Sequence, residues 1–220
     1  MSWLKLLVEQ VEQNQQLLHK GTNVMQQLIL GSSSPFRAEL LNKLGLNFIT
    51  SSPDIDESAL NNETAEQLVQ RLSVQKALKI AESYPNALII GSDQVALLDG
   101  VILGKPGNHG NAVKQLTDAS GKTVRFLTGL ALINSKTGLV QSLVETFDVS
   151  FKTLSANQIE FYLQQEKPYQ CAGSFKSEGF GISLFSKLEG EDPNSLIGLP
   201  LIRLIDLLNN EGIDVLQPNQ

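Results

Sequence analysis

The sequence predicts an α/β fold, and three observations carry that reading. From Leu28 onward, short apolar runs alternate with stretches of helical periodicity. The segment LILGSSSPFRAELL, Leu28 to Leu41, reads as strand, tight turn and helix in direct succession. The run ALIIGSD, Ala87 to Asp93, reads as a buried apolar strand that closes on a carboxylate, which is where open α/β sheets put their ligand crevice.

Each element follows from local chemistry. Ser34 suits a helix cap and Pro35 a first helical position; apolar residues recur at Ala38, Leu41 and Leu44, and Gly45 closes the helix. NFITSS reads as a second strand and PDIDES as an acidic loop. A long helix is expected from about Glu63 to Ser83, stopped by Pro85. ALIIGSDQVALLDGVILGKP gives a buried strand, an exposed continuation and a hairpin at Asp99-Gly100. A helix near Asn111 to Ala119 precedes strands at Thr123 to Asn134 and Leu143 to Lys152. In the second of these, Phe147, Val149 and Phe151 alternate with polar residues, the period of a half-covered strand. Ser155 caps a helix to about Gln165, a glycine-rich stretch runs from Gly173 to Gly181, and a last helix spans about Leu201 to Asn209.

Composition narrows the functional classes. The 220 residues are 41% hydrophobic, enough for a real core, and only 18% charged, with a net charge of -6. That balance argues against nucleic acid polymers and anionic membranes as partners. The single cysteine, Cys171, closes no intrachain disulfide, so a cytoplasmic location is expected. The N-terminal stretch has its longest apolar run at Leu6 to Val8, far short of a signal-peptide core or a membrane span. Leu4, Leu7, Val11 and Leu18 share one helical face there. Residues 1–24 are read as an extension outside the core and 25–220 as a single domain.

Several residues could carry chemistry. The turn Ser32-Ser33-Ser34 stands at a helix start, where hydroxyls, backbone N–H groups and the helix dipole hold phosphate; capping by Ser34 and turn propensity explain the same residues. No Walker loop is present, so a phosphate site must be built otherwise. Arg37 follows with a guanidinium fork suited to phosphate oxygens. In the long helix Lys76 falls inside the apolar arc of Ala65, Val69, Leu72 and Ile80; it either snorkels to water or completes an anion clamp. On that reading methionine at position 76 leaves the fold as stable as before, or more so. Lys105, pinned between Gly104 and Pro106, is a second flexible cation or an ordinary surface turn. Asp93 is the most suggestive acid, with an Asx cap as its alternative, and one of Asp54, Asp56 and Glu57 could join it around magnesium or manganese. His19, His109 and Cys171 lack the partners of a zinc site or a thiol mechanism.

Taken together, LGSSSPFR, DIDE, QKA, IIGSDQV, GKP and FLTG occur in the order and spacing of a known family, and CAGSFKSEGFGISLF and DPNSLIGLPL match one branch of it. The chain resembles the Maf family of septum-formation-inhibitor-like nucleoside triphosphate pyrophosphatases, on the branch that acts on 7-methyl-GTP. The resemblance covers about Leu28 to Gly212. It implies a mixed sheet with flanking helices and two lobes around a central cleft, an architecture shared with ITPases, and frequent dimers. It also implies hydrolysis between the α- and β-phosphates of a nucleotide, with a divalent metal, magnesium or manganese. By position Asp93 matches the proton acceptor, and Phe36, Gln94 and Glu178 match the residues that set substrate choice. Arg37, Lys76 and Lys105 match the cations around the phosphates, with Ser32 and Ser34 beside them, and Glu57 matches the acid that joins Asp93 at the metal. The branch usually has tryptophan where this chain has Phe36. Alternatives are the dTTP and UTP branch, whose motifs differ at Phe36-Arg37 and Asp93-Gln94, and a nucleotide-sensing division regulator without turnover.

Overall fold

The structure, a computed structural model, describes residues 26–217. The expected N-terminal helical face, and His19 with it, lies outside the described residues. Seven strands form one mixed sheet: β1 (Gln27–Gly31), β2 (Phe48–Ser51), β3 (Ala87–Leu98), β4 (Val101–Leu103), β5 (Thr123–Asn134), β6 (Leu139–Phe151) and β7 (Phe185–Gly190). Their order is β2-β1-β3-β5-β6-β7, with β4 paired to the far end of β3. β1 runs parallel to β2 and β3, and every other pairing is antiparallel.

Five α-helices flank the sheet: α1 (Pro35–Asn42), α2 (Ala65–Ala81), α3 (His109–Ala119), α4 (Ala156–Glu166) and α5 (Leu201–Asn210). In the first lobe α1 and α5 cover one face through Leu41, Leu204 and Leu208 against Leu30, Ile90 and Leu132. α2 covers the other face, packing Ala77 and Ile80 on Ile29, Ile89 and Ile133. The second lobe collects α3, α4 and the far ends of β3, β5 and β6 around Phe126, Phe147, Phe151, Phe175 and Phe185. The long strands β3, β5 and β6 pass through both lobes and make them one body.

Most elements form where local chemistry asks for them. Ser34 caps α1 by accepting from the Arg37 N–H, with Pro35 at the first turn. α2 starts later than expected because Thr64 and Gln67 close a reciprocal capping box, which fixes Ala65 as the first helical residue. Asp99 and Gly100 both take positive φ, 51° and 80°, as the tight hairpin between β3 and β4 requires.

Three expectations need correction. The continuation of β3 is buried rather than exposed, because Val95 packs beneath α2 while Ala96 and Leu98 join the second-lobe core. Asp93 does not end its strand; β3 runs on for five more residues and stays paired to β5 as far as Leu97. What ends near Asp93 is β1, whose last partner on β3 is Gly91. β7 is an addition with no sequence signal, since only Phe185 of its six residues is buried and the rest carry no alternating pattern. β6 also starts four residues before its expected first residue, because backbone pairing with β5 needs no apolar side chain at Leu139 or Val140.

α2 lies unusually close to the sheet, and two glycines permit it. A Cβ on Gly91 would sit 2.0 Å from the Ser73 carbonyl oxygen, and one on Gly129 would sit 2.1 Å from that of Val69. Backbone cannot yield at those distances, so Gly91→Ala must push α2 off the sheet. We expect it to cost about 2–3 kcal/mol of stability, measured by chemical denaturation. A loss within 0.5 kcal/mol of zero would show that the helix has room to retreat.

Candidate active site

The cleft opens where the sheet is interrupted. β1 pairs with β3 only as far as Gly91, and β4 begins pairing at Ala96, so the β3 edge from Ser92 to Val95 has no neighbouring strand on that side. Into this gap opens a cavity of about 490 Å³. Its lining includes Ser32, Ser34, Phe36, Arg37, Glu57, Lys76, Asp93, Gln94, Lys105 and Glu178. The ten residues that the family resemblance assigns to the site therefore meet in one place, from six separate segments of the chain.

Strand periodicity divides the cleft in two. Asp93 points to the α2 face, as does its cross-strand partner Gly129, while Gln94 points to the opposite face beside Thr128. On the α2 side Lys76 Nζ lies 2.6 Å from Asp93 Oδ1 and 2.9 Å from Glu57 Oε1. Lys76 and Asp93 are 6% and 8% exposed, whereas the Glu57 side chain is 57% exposed, so a buried ion pair meets a third charge at its solvent edge. The lysine does not snorkel away from the core.

The loop that carries Glu57 is strapped to α2 by Arg71. Its Nε and Nη2 meet the two oxygens of Glu63 at 2.6 and 2.7 Å, and Nη2 also donates to the Ser58 carbonyl at 3.0 Å. The Arg71 bonds, with help from the Leu60 N–H, hold the Glu63 carboxyl down at about 2. Asp54 and Asp56 do not line the cleft; Asp56 instead accepts the Ser58 N–H at 2.9 Å, closing its own turn.

Arg37 reaches the cleft from the first turn of α1. Its Nε donates to the Gly198 carbonyl at 2.8 Å, which aims the rest of the fork at the opening. Burial pulls this guanidinium below its ordinary value, and the nearby Asp93 and Glu57 carboxylates pull it back, so it remains a cation. Ser32 is buried and accepts the Ser34 N–H at 3.1 Å, which shapes the serine turn. Lys105 enters from the second lobe on an exposed loop.

The other side of the cleft is aromatic and acceptor-rich. Phe36, 39% exposed, stands at the mouth, Phe126 and Phe175 pack edge to face at 5.4 Å deeper in, and Glu178 is exposed on the second-lobe wall. Gln94 donates through Nε2 to the carbonyls of Ser195 and Leu196 at 2.7 and 3.2 Å, and to Thr128 Oγ1 at 2.9 Å. Cys171 also lines the cleft, but burial pushes its thiol up, away from the reactive thiolate. His109 is not in the cleft; it bridges Tyr169 and Glu160 at 3.0 and 2.8 Å and ties the start of α3 to α4.

Sequence reasoning missed the supporting residues, Arg71, Glu63, Thr128 and Asp192. The arginine sits at a helical position that is ordinarily solvent-facing, and the partners of Thr128 and Asp192 are mainly backbone groups, which leave no trace in a pattern of side chains.

Among the described residues no three histidine, cysteine, aspartate or glutamate side chains gather as a metal-holding cluster. The two carboxylates that face each other, Asp93 and Glu57, already hold an ammonium between them. A pair of oxygen donors arranged around positive charge fits magnesium or manganese, which take one or two carboxylates and draw their other ligands from water and substrate phosphate.

The burial of Lys76 against Asp93 reverses the expectation for methionine at position 76. Lys76→Met would leave the Asp93 carboxylate buried without its counter-charge, at a cost of about 3 kcal/mol. Thermal or chemical denaturation should show that loss, and Asp93→Asn in the same chain should recover part of it. A single variant as stable as the native protein would mean that water reaches Asp93 freely.

Comparison with known proteins gives the chain a family. Residues 27–211 match the Maf-like protein family. The chain is 58% identical over 193 residues to a 7-methyl-GTP pyrophosphatase of Pseudoalteromonas atlantica, covering 88% of this chain and 99% of that one. It is 56% identical over 191 residues to a protein of the same name from Pseudomonas aeruginosa, covering 87% and 100%. Among solved structures, the Staphylococcus aureus Ham1 protein shares the fold, with a TM-score of 0.50 at 12% identity over 84% of this chain and all of that one. On the strength of a match that takes in every strand and helix described above, the chain belongs to the Maf family.

Proposed function

We propose that the protein is a nucleoside triphosphate pyrophosphatase that hydrolyses 7-methyl-GTP to 7-methyl-GMP and diphosphate by attack of water at the α-phosphorus. The observation that carries this reading is the Lys76-Asp93 pair, a buried carboxylate beside a cation at the floor of a cleft whose rim supplies Arg37 and Lys105. Relatives of that name at 56–58% identity support the substrate.

The chemistry follows from charge. A triphosphate brings about four negative charges, and attack at phosphorus needs them offset and the water aligned. Arg37, Lys76 and Lys105 face the phosphate chain as cations, and the serine turn adds hydroxyls at the α1 terminus. Asp93 accepts the proton of the attacking water. Lys76 holds that carboxylate in one orientation through their 2.6 Å contact. Asp93 and Glu57 are the residues that would hold magnesium or manganese. When bound, such an ion supplies Lewis-acid stabilisation of charge on the phosphoryl oxygens.

Base choice falls to the other side of the cleft. Methylation at N7 makes guanine cationic, and a cation is favoured by an aromatic face and a nearby carboxylate. Phe36 offers the face, and Glu178 accepts hydrogen bonds from the N1–H and amino edge. The same carboxylate repels the carbonyl edges of uracil and thymine. The reading takes residues 25–220 as the working unit, with 1–24 as an extension to it. It also includes a cytoplasmic location and, from the family resemblance, a homodimer. Among the described residues no helix is long and apolar enough to cross a membrane.

Pyrophosphate release from a nucleotide panel, with and without magnesium or manganese, tests the assignment. We expect 7-methyl-GTP to be preferred over GTP, and both over UTP and dTTP; equal specificity constants for 7-methyl-GTP and UTP would remove the substrate assignment. Asp93→Asn should lower turnover by ~10²-fold or more while keeping the fold, and near-native turnover would remove Asp93 from the reaction. Phe36→Trp should sharpen the preference for the methylated base by about 0.5–1 kcal/mol, because tryptophan is the better cation partner.

A further inference from the structure

Gln94 is oriented from outside the cleft. Its Nε2 faces the Ser195 carbonyl at 2.7 Å, the Leu196 carbonyl at 3.2 Å and Thr128 Oγ1 at 2.9 Å. The Thr128 hydroxyl gives its own proton to the Ser195 carbonyl, at 2.9 Å, so toward Gln94 it only accepts. Three acceptors around one end of the amide decide which end it is: turning the amide over would set Oε1 against all three. Oε1 is thereby left toward the cleft, and among the described residues no donor meets it.

The carbonyls that impose this orientation are themselves fastened, by one carboxylate. Asp192 is 1% exposed. Its Oδ1 accepts the backbone N–H and side-chain amide of Asn194 at 2.8 and 2.9 Å, and its Oδ2 accepts the Ile202 N–H at 2.6 Å. Its backbone carbonyl takes the Ser195 N–H and hydroxyl at 3.0 and 2.6 Å. One buried side chain thus pins the turn Pro193–Ile197 and the first turn of α5, and with them the Ser195 and Leu196 carbonyls. Neither Asp192 nor Thr128 lines the cleft.

We propose that Asp192 and Thr128 are specificity-determining positioning residues: they fix the Gln94 amide so that it meets the nucleobase as an obligate acceptor. A base edge carrying N–H donors is then selected and one carrying a carbonyl at that point is refused, in the same sense as the Glu178 carboxylate opposite. This inference rests on the nucleotide reading above.

The test is the ratio of kcat/KM between the best- and worst-cleaved of 7-methyl-GTP, GTP, ATP, CTP and UTP, measured on the full chain. A ratio is independent of the fraction of enzyme that is folded, so a merely structural role does not move it. Thr128→Val keeps the shape and removes one hydrogen bond to Gln94; it should lower the ratio about three- to tenfold, chiefly through KM, and Thr128→Ser should restore it. Asp192→Asn sets a donor against the Ile202 N–H and should lower the ratio by about tenfold or more. In a Gln94→Ala chain neither change should lower it further. An unchanged ratio in Thr128→Val, or an equal fall with and without Gln94, overturns the proposal, and Thr128→Val decides it even if Asp192→Asn does not fold. A native chain that cleaves all five nucleotides equally overturns it too, while leaving the pyrophosphatase reading intact. If the native chain releases no pyrophosphate from any of them, the functional reading fails instead, and the ratio of Kd values for the same five nucleotides carries the same comparison of variants.

Discussion

The contact between Lys76 and Asp93 is the interaction on which the rest of the site depends. Each is a charge that the core would reject alone, and together, 2.6 Å apart, they are tolerated beneath α2. Their meeting requires the helix backbone to lie almost on the sheet, and Gly91 and Gly129 make that possible. Gly129 is the cross-strand partner of Asp93 itself, so the absent side chain and the buried carboxylate occupy the same rung of the ladder. Packing and electrostatics are therefore one constraint: α2 can approach because two side chains are missing, and only that approach brings Lys76 to Asp93.

A second constraint is topological. β1 stops at Gly31 and β3 does not stop with it, so the sheet has an open edge in its interior. Because alternate residues of a strand face opposite sides, the adjacent pair Asp93-Gln94 serves both halves of the opening. On the proposed reading the proton acceptor and the base reader are neighbours in sequence and are separated by the thickness of the sheet. A loop could carry the same two residues, but without a ladder on its other side to hold their directions. Here every residue from Leu88 to Leu97 remains paired with β5.

How much of this was readable in the sequence depended on whether a residue's role breaks a pattern. Lys76 broke the apolar arc of a helix, Asp93 broke an apolar strand and Arg37 followed a serine turn, and all three line the cleft. The inference about Lys76 failed in one respect, because a pattern shows that a charge is buried and not what partners it; the expected tolerance of methionine ignored Asp93. β7 was unreadable because an edge strand with one buried residue needs only backbone to pair. Thr128 and Asp192 were unreadable for a related reason. Thr128 meets Ser195 across 67 residues of chain and Gln94 meets it across 101, and in both bonds the acceptor is a backbone carbonyl, which any residue type would supply. The run Asp192-Pro193-Asn194-Ser195 is built of turn-forming residue types, and nothing in it tells which way its carbonyls point.

The turn at 192–198 joins the two sides of the cleft. The Gly198 carbonyl accepts from Arg37 Nε and from Ser92 Oγ, both at 2.8 Å, while the Ser195 carbonyl accepts from Gln94 and Thr128. Carbonyls three residues apart in one short turn thus orient the Arg37 cation and the Gln94 amide, which on the proposed reading face the phosphates and the base. A displacement of the turn would move both together, so on the proposed reading the spacing between these two groups is set by one hydrogen-bonded segment. That arrangement suits discrimination among nucleotides that differ only at the base, because the phosphates supply most of the binding charge and are the same in all of them. On the proposed reading, a base that does not fit cannot be accommodated by shifting Gln94 alone; it must strain a segment whose other end holds Arg37.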